Sequence, residues 1–261
     1  MRRIQIYSFI TISLVCLLAV SCAKKASTEE SSVTINPALI AQNIAKADEL
    51  ARPHNDLEKL RQAVSLLANS RNFDTPNYEV EWKFAKYNYF LGKLTTDEKE
   101  SEKAFTNGEN AGKTATRITP EKADGYFWYG ANLGEQARRA PLTKGLGSLE
   151  DIRTAMNKVI EIEPNYQSAS AFDALGQIEL ETRLTNGKAE KAVEYLEKGF
   201  ALEKENSYIR LHLAQAYLAI NRDAEAKKQL EYILKMKPNP DYLPEYEESV
   251  KEAKKLLETK F

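Results

Sequence analysis

Cysteine and histidine are nearly missing from this sequence. Two of each in 261 residues cannot supply a disulfide framework, a four-cysteine zinc site or a mechanism that needs several imidazoles. Eleven glycines and nine prolines are too few for a collagen-like or low-complexity chain. A surplus of charge is missing too: 37 Lys+Arg stand against 38 Asp+Glu. Such a balance offers no electrostatic footprint for nucleic acid, because no excess of cations is there to neutralise phosphates. The sequence holds no glycine-rich phosphate loop, no His-Glu-x-x-His, no Gly-x-Ser-x-Gly and no metal-ligand spacing. His212 lies between Leu211 and Leu213 and reads as a packed or surface histidine; His54 follows Pro53 in a turn and reads as solvent-facing. The expectation is a protein that is not an enzyme and uses no cofactor or metal.

The chain does have a basic head, Met1-Arg2-Arg3, followed by a largely apolar stretch over residues 4–20 that is short for a bilayer span. It ends in Leu17-Leu18-Ala19-Val20-Ser21-Cys22, which resembles the bacterial lipoprotein processing box, with Ala19 where that box usually has Leu. The resemblance implies a signal peptide over residues 1–21 and lipidation of Cys22, hence a protein of the bacterial cell envelope, lipid-anchored and facing the periplasm. The absence of an Asp after Cys22 favours the outer membrane over the inner. Loss of Arg2 and Arg3 with the signal takes the formal net charge from −1 to −3. Residues 22–37 are polar and small, the composition of a flexible tether that cannot bury a core.

From residue 38 to 261 the pattern is helical. Ile152, Ala155, Met156, Val159 and Ile160 recur at spacings of three and four, as do Ala189, Ala192, Val193, Leu196 and Phe200, and each set puts one apolar stripe on a helix face. Pro53, Pro76, Pro120, Pro164, Asn186-Gly187 and Pro238-Asn239-Pro240 punctuate the stripes. Ala192, Leu196, Gly199 and Lys204 return in constant register as Ala226, Leu230, Ile233 and Pro238, at the period and with the small-large spacing of the tetratricopeptide repeat. Leu213, Ala214 and Tyr217, and one unit earlier Phe172, Leu175 and Gly176, fill the first-helix places. The fold expected is an all-α solenoid of about five tetratricopeptide-like helix pairs plus a C-terminal closing helix, with a concave face suited to gripping an extended ligand or a protein.

One stretch departs from helix propensity. Gly125-Tyr126-Phe127-Trp128-Tyr129-Gly130-Ala131-Asn132-Leu133-Gly134 packs four consecutive aromatics and three glycines into one helix, although each glycine costs about 1 kcal/mol relative to alanine. Adjacent helical residues point about 100° apart, so the four aromatics cannot all face one core.

Residues 126–134 resemble the Tyr-Trp-x-Ala-x-Asn-Leu-Gly element of the T component of TRAP transporters, the tetratricopeptide lipoproteins called TatT. Met156-Asn157-Lys158-Val159-Ile160-Glu161-Ile162-Glu163-Pro164-Asn165-Tyr166 and the closing helix after Pro244-Glu245 are similar to the same family. Two places depart from its pattern: Thr185-Asn186-Gly187-Lys188 stands for the Gly-Gly-Asp turn, and Gln136 for a tryptophan. The resemblance implies an accessory protein that docks a periplasmic solute-binding protein and passes a small, partly apolar ligand, with a homotrimer as one assembly. It makes Trp128, Tyr129 and Asn132 candidate lining groups and Arg138 and Arg139 candidates for an acidic partner or a ligand carboxylate. The other reading of the same residues is a general scaffold lipoprotein that grips another envelope protein during assembly.

Overall fold

A computed structural model of the protein describes residues 36–52, 54–140 and 145–261. The expected signal peptide, Cys22 and the part of the expected tether before residue 36 lie outside the described residues. Among those described there are eleven α-helices and no strand: α1 (Pro37–Leu50), α2 (Leu57–Ala68), α3 (Tyr78–Leu94), α4 (Glu98–Ile118), α5 (Ala123–Arg139), α6 (Leu146–Ile162), α7 (Tyr166–Glu181), α8 (Ala189–Leu202), α9 (Ser207–Ala219), α10 (Asp223–Ile233) and α11 (Leu243–Lys260). Six of them open on Asn or Asp, and in five the side chain caps the helix. Asn36, Asp56, Asn77, Asp97 and Asn206 each accept a backbone N–H of the first turn through the side chain, satisfying donors that the helix itself leaves unpaired.

Consecutive helices pack as five antiparallel pairs, α1/α2 to α9/α10, and α11 closes against α9 and α10. The odd-numbered helices also pack on one another, α1 on α3, α3 on α5, α7 on α9 and α9 on α11, whereas the even-numbered ones do not. The odd layer is therefore the tighter, inner side of an α-solenoid and the even layer its outer side. That is the expected architecture, and the stripes read from the sequence supply its layers: Leu175, Leu196, Leu213 and Leu230 are fully buried between successive helices.

Two features position the site. On α4, Ala104, Gly108, Ala111, Gly112 and Ala115 make a buried face of small side chains against which α5 lies. The approach is close enough that a Cβ at Gly112 would sit 2.6 Å from the Tyr129 backbone nitrogen and one at Gly108 2.2 Å from Asn132 Oδ1. The second feature is the entry to α7, where Gln167, Ser168 and Ala169 all take left-handed dihedrals, with φ of 47°, 54° and 60°. The inner layer is interrupted here: α5 and α7 are joined through α6 rather than packed as a close pair.

Candidate functional site

The gap between α5 and α7 opens a cavity of about 1070 Å³ on the inner layer, bounded by α3, α5, α7, α9 and α11. Its floor is aromatic. The Trp128 ring lies 5.6 Å from both Tyr89 and Phe90 and 5.0 Å from Phe127, in tilted and edge-on arrangements that suit the quadrupoles of the rings. A chain of hydrogen bonds fixes the indole: Trp128 Nε1 donates to the Tyr166 hydroxyl (3.2 Å), Tyr166 donates to Asp124 Oδ1 (2.8 Å), and Tyr78 donates to Asp124 Oδ2 (2.8 Å). Burial, reinforced by the Asp124 carboxylate, pushes both tyrosine hydroxyls well above their ordinary pKa, so both stay protonated donors.

The rim is charged. Glu135 on α5 holds Arg138 at 2.6 Å and Lys93 at 3.5 Å. Across the cavity, His212 Nδ1 lies 2.7 Å from Asp173 Oδ1 and its ring stacks on Tyr208 at 5.6 Å. Burial alone would lower the His212 pKa, but the facing Asp173 carboxylate outweighs it and the net shift is upward. Glu245, on the first turn of α11, has its Oε2 buried with no hydrogen bond, and burial pushes its carboxyl upward. Tyr208 donates its hydroxyl to Glu248 one turn further along.

The residues singled out in the sequence separate into two groups. Trp128 and Arg138 line the cavity, and Tyr129, Asn132 and Arg139 do not. Tyr129 turns back against α4 at Gly112. Asn132 is completely enclosed, its amide donating to the backbone oxygens of Ala85 (3.1 Å) and Trp128 (2.7 Å), so it ties α5 to α3. Arg139 lays its guanidinium over the Phe105 ring at 5.0 Å. Gln136 is buried as well, donating to Glu109 Oε2 (2.7 Å) and the Phe105 carbonyl (3.3 Å). His54, expected to face solvent, instead stacks on Phe90 with ring centroids 3.9 Å apart, because the turn after α1 folds over α3. Cys22 lies outside the described residues. In the sequence, Glu245 and Glu248 belong to the acidic run Glu245-Glu247-Glu248, whose natural reading is a solvated face of one helix, but in the structure both line the cavity; Asp173 stands out in no motif. The one hint for Asp173 is a carboxylate inside the apolar run Ala171-Phe172-Asp173-Ala174-Leu175.

A family profile described as regulator of microtubule dynamics protein 1-3 matches residues 43–177, more than half of the chain. The chain belongs to that family. A tetratricopeptide-repeat profile matches residues 183–243, so the family region carries α5 and most of α7, and the repeat region α8 to α10. Regulator of microtubule dynamics protein 3 of Rattus norvegicus is 25% identical over 122 residues, 46% of this chain and 25% of the rat protein's length. A thermophilic tetratricopeptide-repeat protein of Thermus thermophilus superposes with a TM-score of 0.59 at 21% identity, covering 81% of this chain and 98% of its own. A structure described as MamA AMB-1 gives 0.48 at 13% identity, covering 74% and 87%. The Thermus likeness establishes the fold: a tetratricopeptide-type helical scaffold, an architecture suited to protein–protein interaction.

Proposed function

We propose that this protein is a membrane-tethered scaffold of the bacterial envelope that grips a segment of a partner protein in its inner cavity, and that it performs no catalysis. The observation that carries the reading is the cavity wall. Inner-layer helices from successive repeat units converge on one aromatic floor, and the hydrogen-bond chain from Trp128 to Asp124 holds that floor in a single geometry. Preorganised apolar surface with polar groups at its edge favours binding because little conformational freedom is lost when the occupant arrives. The location rests on residues 1–22 and their likeness to a lipoprotein signal.

The narrower reading, docking of a TRAP solute-binding protein and transfer of a small apolar ligand, draws on residues 126–134 and on the aromatic floor. It is the weaker of the two, because Tyr129 and Asn132, which the resemblance makes lining groups, lie away from the cavity. Gly134 gives a direct test of the cavity. It lines the wall, and a Cβ there would meet nothing within 4 Å, so Gly134→Trp starts a large side chain from open space at the wall. The tagged wild-type protein is expected to retain a partner from detergent-solubilised envelopes that the Gly134→Trp protein loses. A solute-binding protein as that partner would favour the transporter reading. Equal retention by both proteins would end the cavity reading.

A further inference from the structure

The charges around the cavity are unevenly matched. Its walls carry eight carboxylates against four lysines or arginines; of the four, Lys237 and Lys251, the latter one turn after Glu248 on α11, make no ion pair among the described residues. Lys93 and Arg138 both pair with Glu135 on the α5 side. The opposite wall, from the start of α11, presents Glu245 and Glu248, neither of which makes an ion pair with a lysine or arginine among the described residues. Glu248 is held by the Tyr208 hydroxyl, and Glu245 keeps one oxygen buried and without a hydrogen bond. A carboxylate withdrawn from water without a partner is unfavourable, and a cation brought beside it relieves that penalty. Lys93 is within electrostatic reach of Glu245, yet its ammonium sits at Glu135. Below this wall lies the apolar surface of Tyr89, Phe90 and Trp128.

We infer that the occupant of the cavity is a cationic amphipathic protein segment, with a lysine or arginine side chain set between Glu245 and Glu248 and its apolar residues on Tyr89, Phe90 and Trp128. This rests on the cavity reading above and adds the chemistry of the partner. An acidic segment meets the same wall with like charge, and a purely apolar one leaves Glu245 unpaired, so the wall selects as well as binds.

The test uses three labelled peptides that alternate leucine with lysine, with glutamine or with glutamate, titrated by fluorescence anisotropy into the purified chain, its Glu245→Gln/Glu248→Gln variant and its Gly134→Trp variant. The lysine peptide is expected to bind about tenfold more tightly than the glutamine peptide, the order of one well-placed charge pair, and the glutamate peptide not to bind. The double variant should bring the lysine peptide to the level of the glutamine peptide, and Gly134→Trp should weaken both. If the double variant keeps the full preference for lysine, or if no preference exists, the charge inference is overturned; the cavity reading still stands as long as Gly134→Trp weakens binding. If Gly134→Trp leaves the binding of every peptide unchanged, both readings fall. No binding by any peptide overturns the charge inference and leaves the envelope experiment to decide the cavity.

Discussion

Helices α3 to α5 and helices α7 to α10 follow the same pairing rule and hold together by different means. In the later region, large aliphatic side chains from successive helices fill one layer, with Leu180, Leu196, Leu213, Leu230 and Ile233 among its buried members. The earlier region brings backbones together across Gly108 and Gly112 and ties them with buried amides, Asn132 and Gln136, and with the Tyr78–Asp124–Tyr166 chain. Aliphatic packing tolerates small shifts at modest cost, whereas buried hydrogen bonds such as those of the Asn132 amide nitrogen hold their partners to one arrangement, even with Asn132 Oδ1 left unbonded. The floor of the cavity belongs to the region that admits one arrangement.

Substitutions that pit one region against the other measure this difference. The largest effect is expected at Gly112. Alanine there drives a Cβ to 2.6 Å from the Tyr129 backbone nitrogen, and backbone cannot step aside; destabilisation of about 3 kcal/mol, the upper part of the overpacking range, should appear in chemical denaturation. The matching change in the later region, Gly199→Ala, meets Phe172 Cβ at 2.9 Å and the mobile Ile209 Cδ1 at 3.1 Å; the clash is shallower than at Gly112, so about 2 kcal/mol is expected. Equal losses would erase the contrast. Next comes Asn132→Ala, which removes the two bonds of the amide nitrogen while the Ala85 carbonyl keeps its place in the α3 ladder; about 2 kcal/mol, the order of two hydrogen bonds, should be lost, measured the same way. A loss confined to a few tenths would mean that the clamp contributes nothing beyond its volume.

The smallest effect concerns pH and belongs to the later region. His212 has its pKa raised above 6.5, burial opposing the charge and Asp173 overriding it. A histidine with a raised native pKa stabilises fully below its unfolded value and loses that contribution as pH rises through the native one. Denaturation midpoints should therefore fall as pH is raised from about 6.5 through the native value, and Asp173→Asn should flatten that fall. An unchanged slope in the variant would remove the pair from the account of stability.

The repeat layers were legible in the sequence because they depend on spacing alone. Ala192, Leu196 and Gly199, with their counterparts Ala226, Leu230 and Ile233 in the next unit, occupy buried layers of the solenoid. The aromatic run is also resolved by simple helical geometry: Phe127 and Trp128 reach the cavity, and Tyr129 turns to α4. An asparagine amid aromatics reads equally as a ligand group or as a clamp. Only the placement of Gly108 against it, on the preceding helix and in direct contact in space, decides for the clamp. Asp173 meets His212 because α7 and α9 are neighbours in the inner layer, whereas Glu245 and Lys93 come within electrostatic reach although they lie on α11 and α3, far apart in the chain, which no local pattern encodes. Membership in the regulator of microtubule dynamics family likewise came from comparison along the whole stretch 43–177 rather than from any one motif.

At the entry to α7, three consecutive left-handed residues couple the later repeats to the cavity. Each such residue costs about 1–2 kcal/mol, a strain at residues 167–169 that the rest of the fold must offset. Local bonds, Ser170 Oγ to the Gln167 carbonyl and Ala169 N to the Asn165 carbonyl, are joined by two distant ones: Asn206 donates to the Ser168 carbonyl at 2.8 Å, and the Tyr242 hydroxyl to Gln167 Oε1 at 3.3 Å. The C-terminal units thus reach back, through Asn206 and Tyr242, to a strained joint at the mouth between α5 and α7.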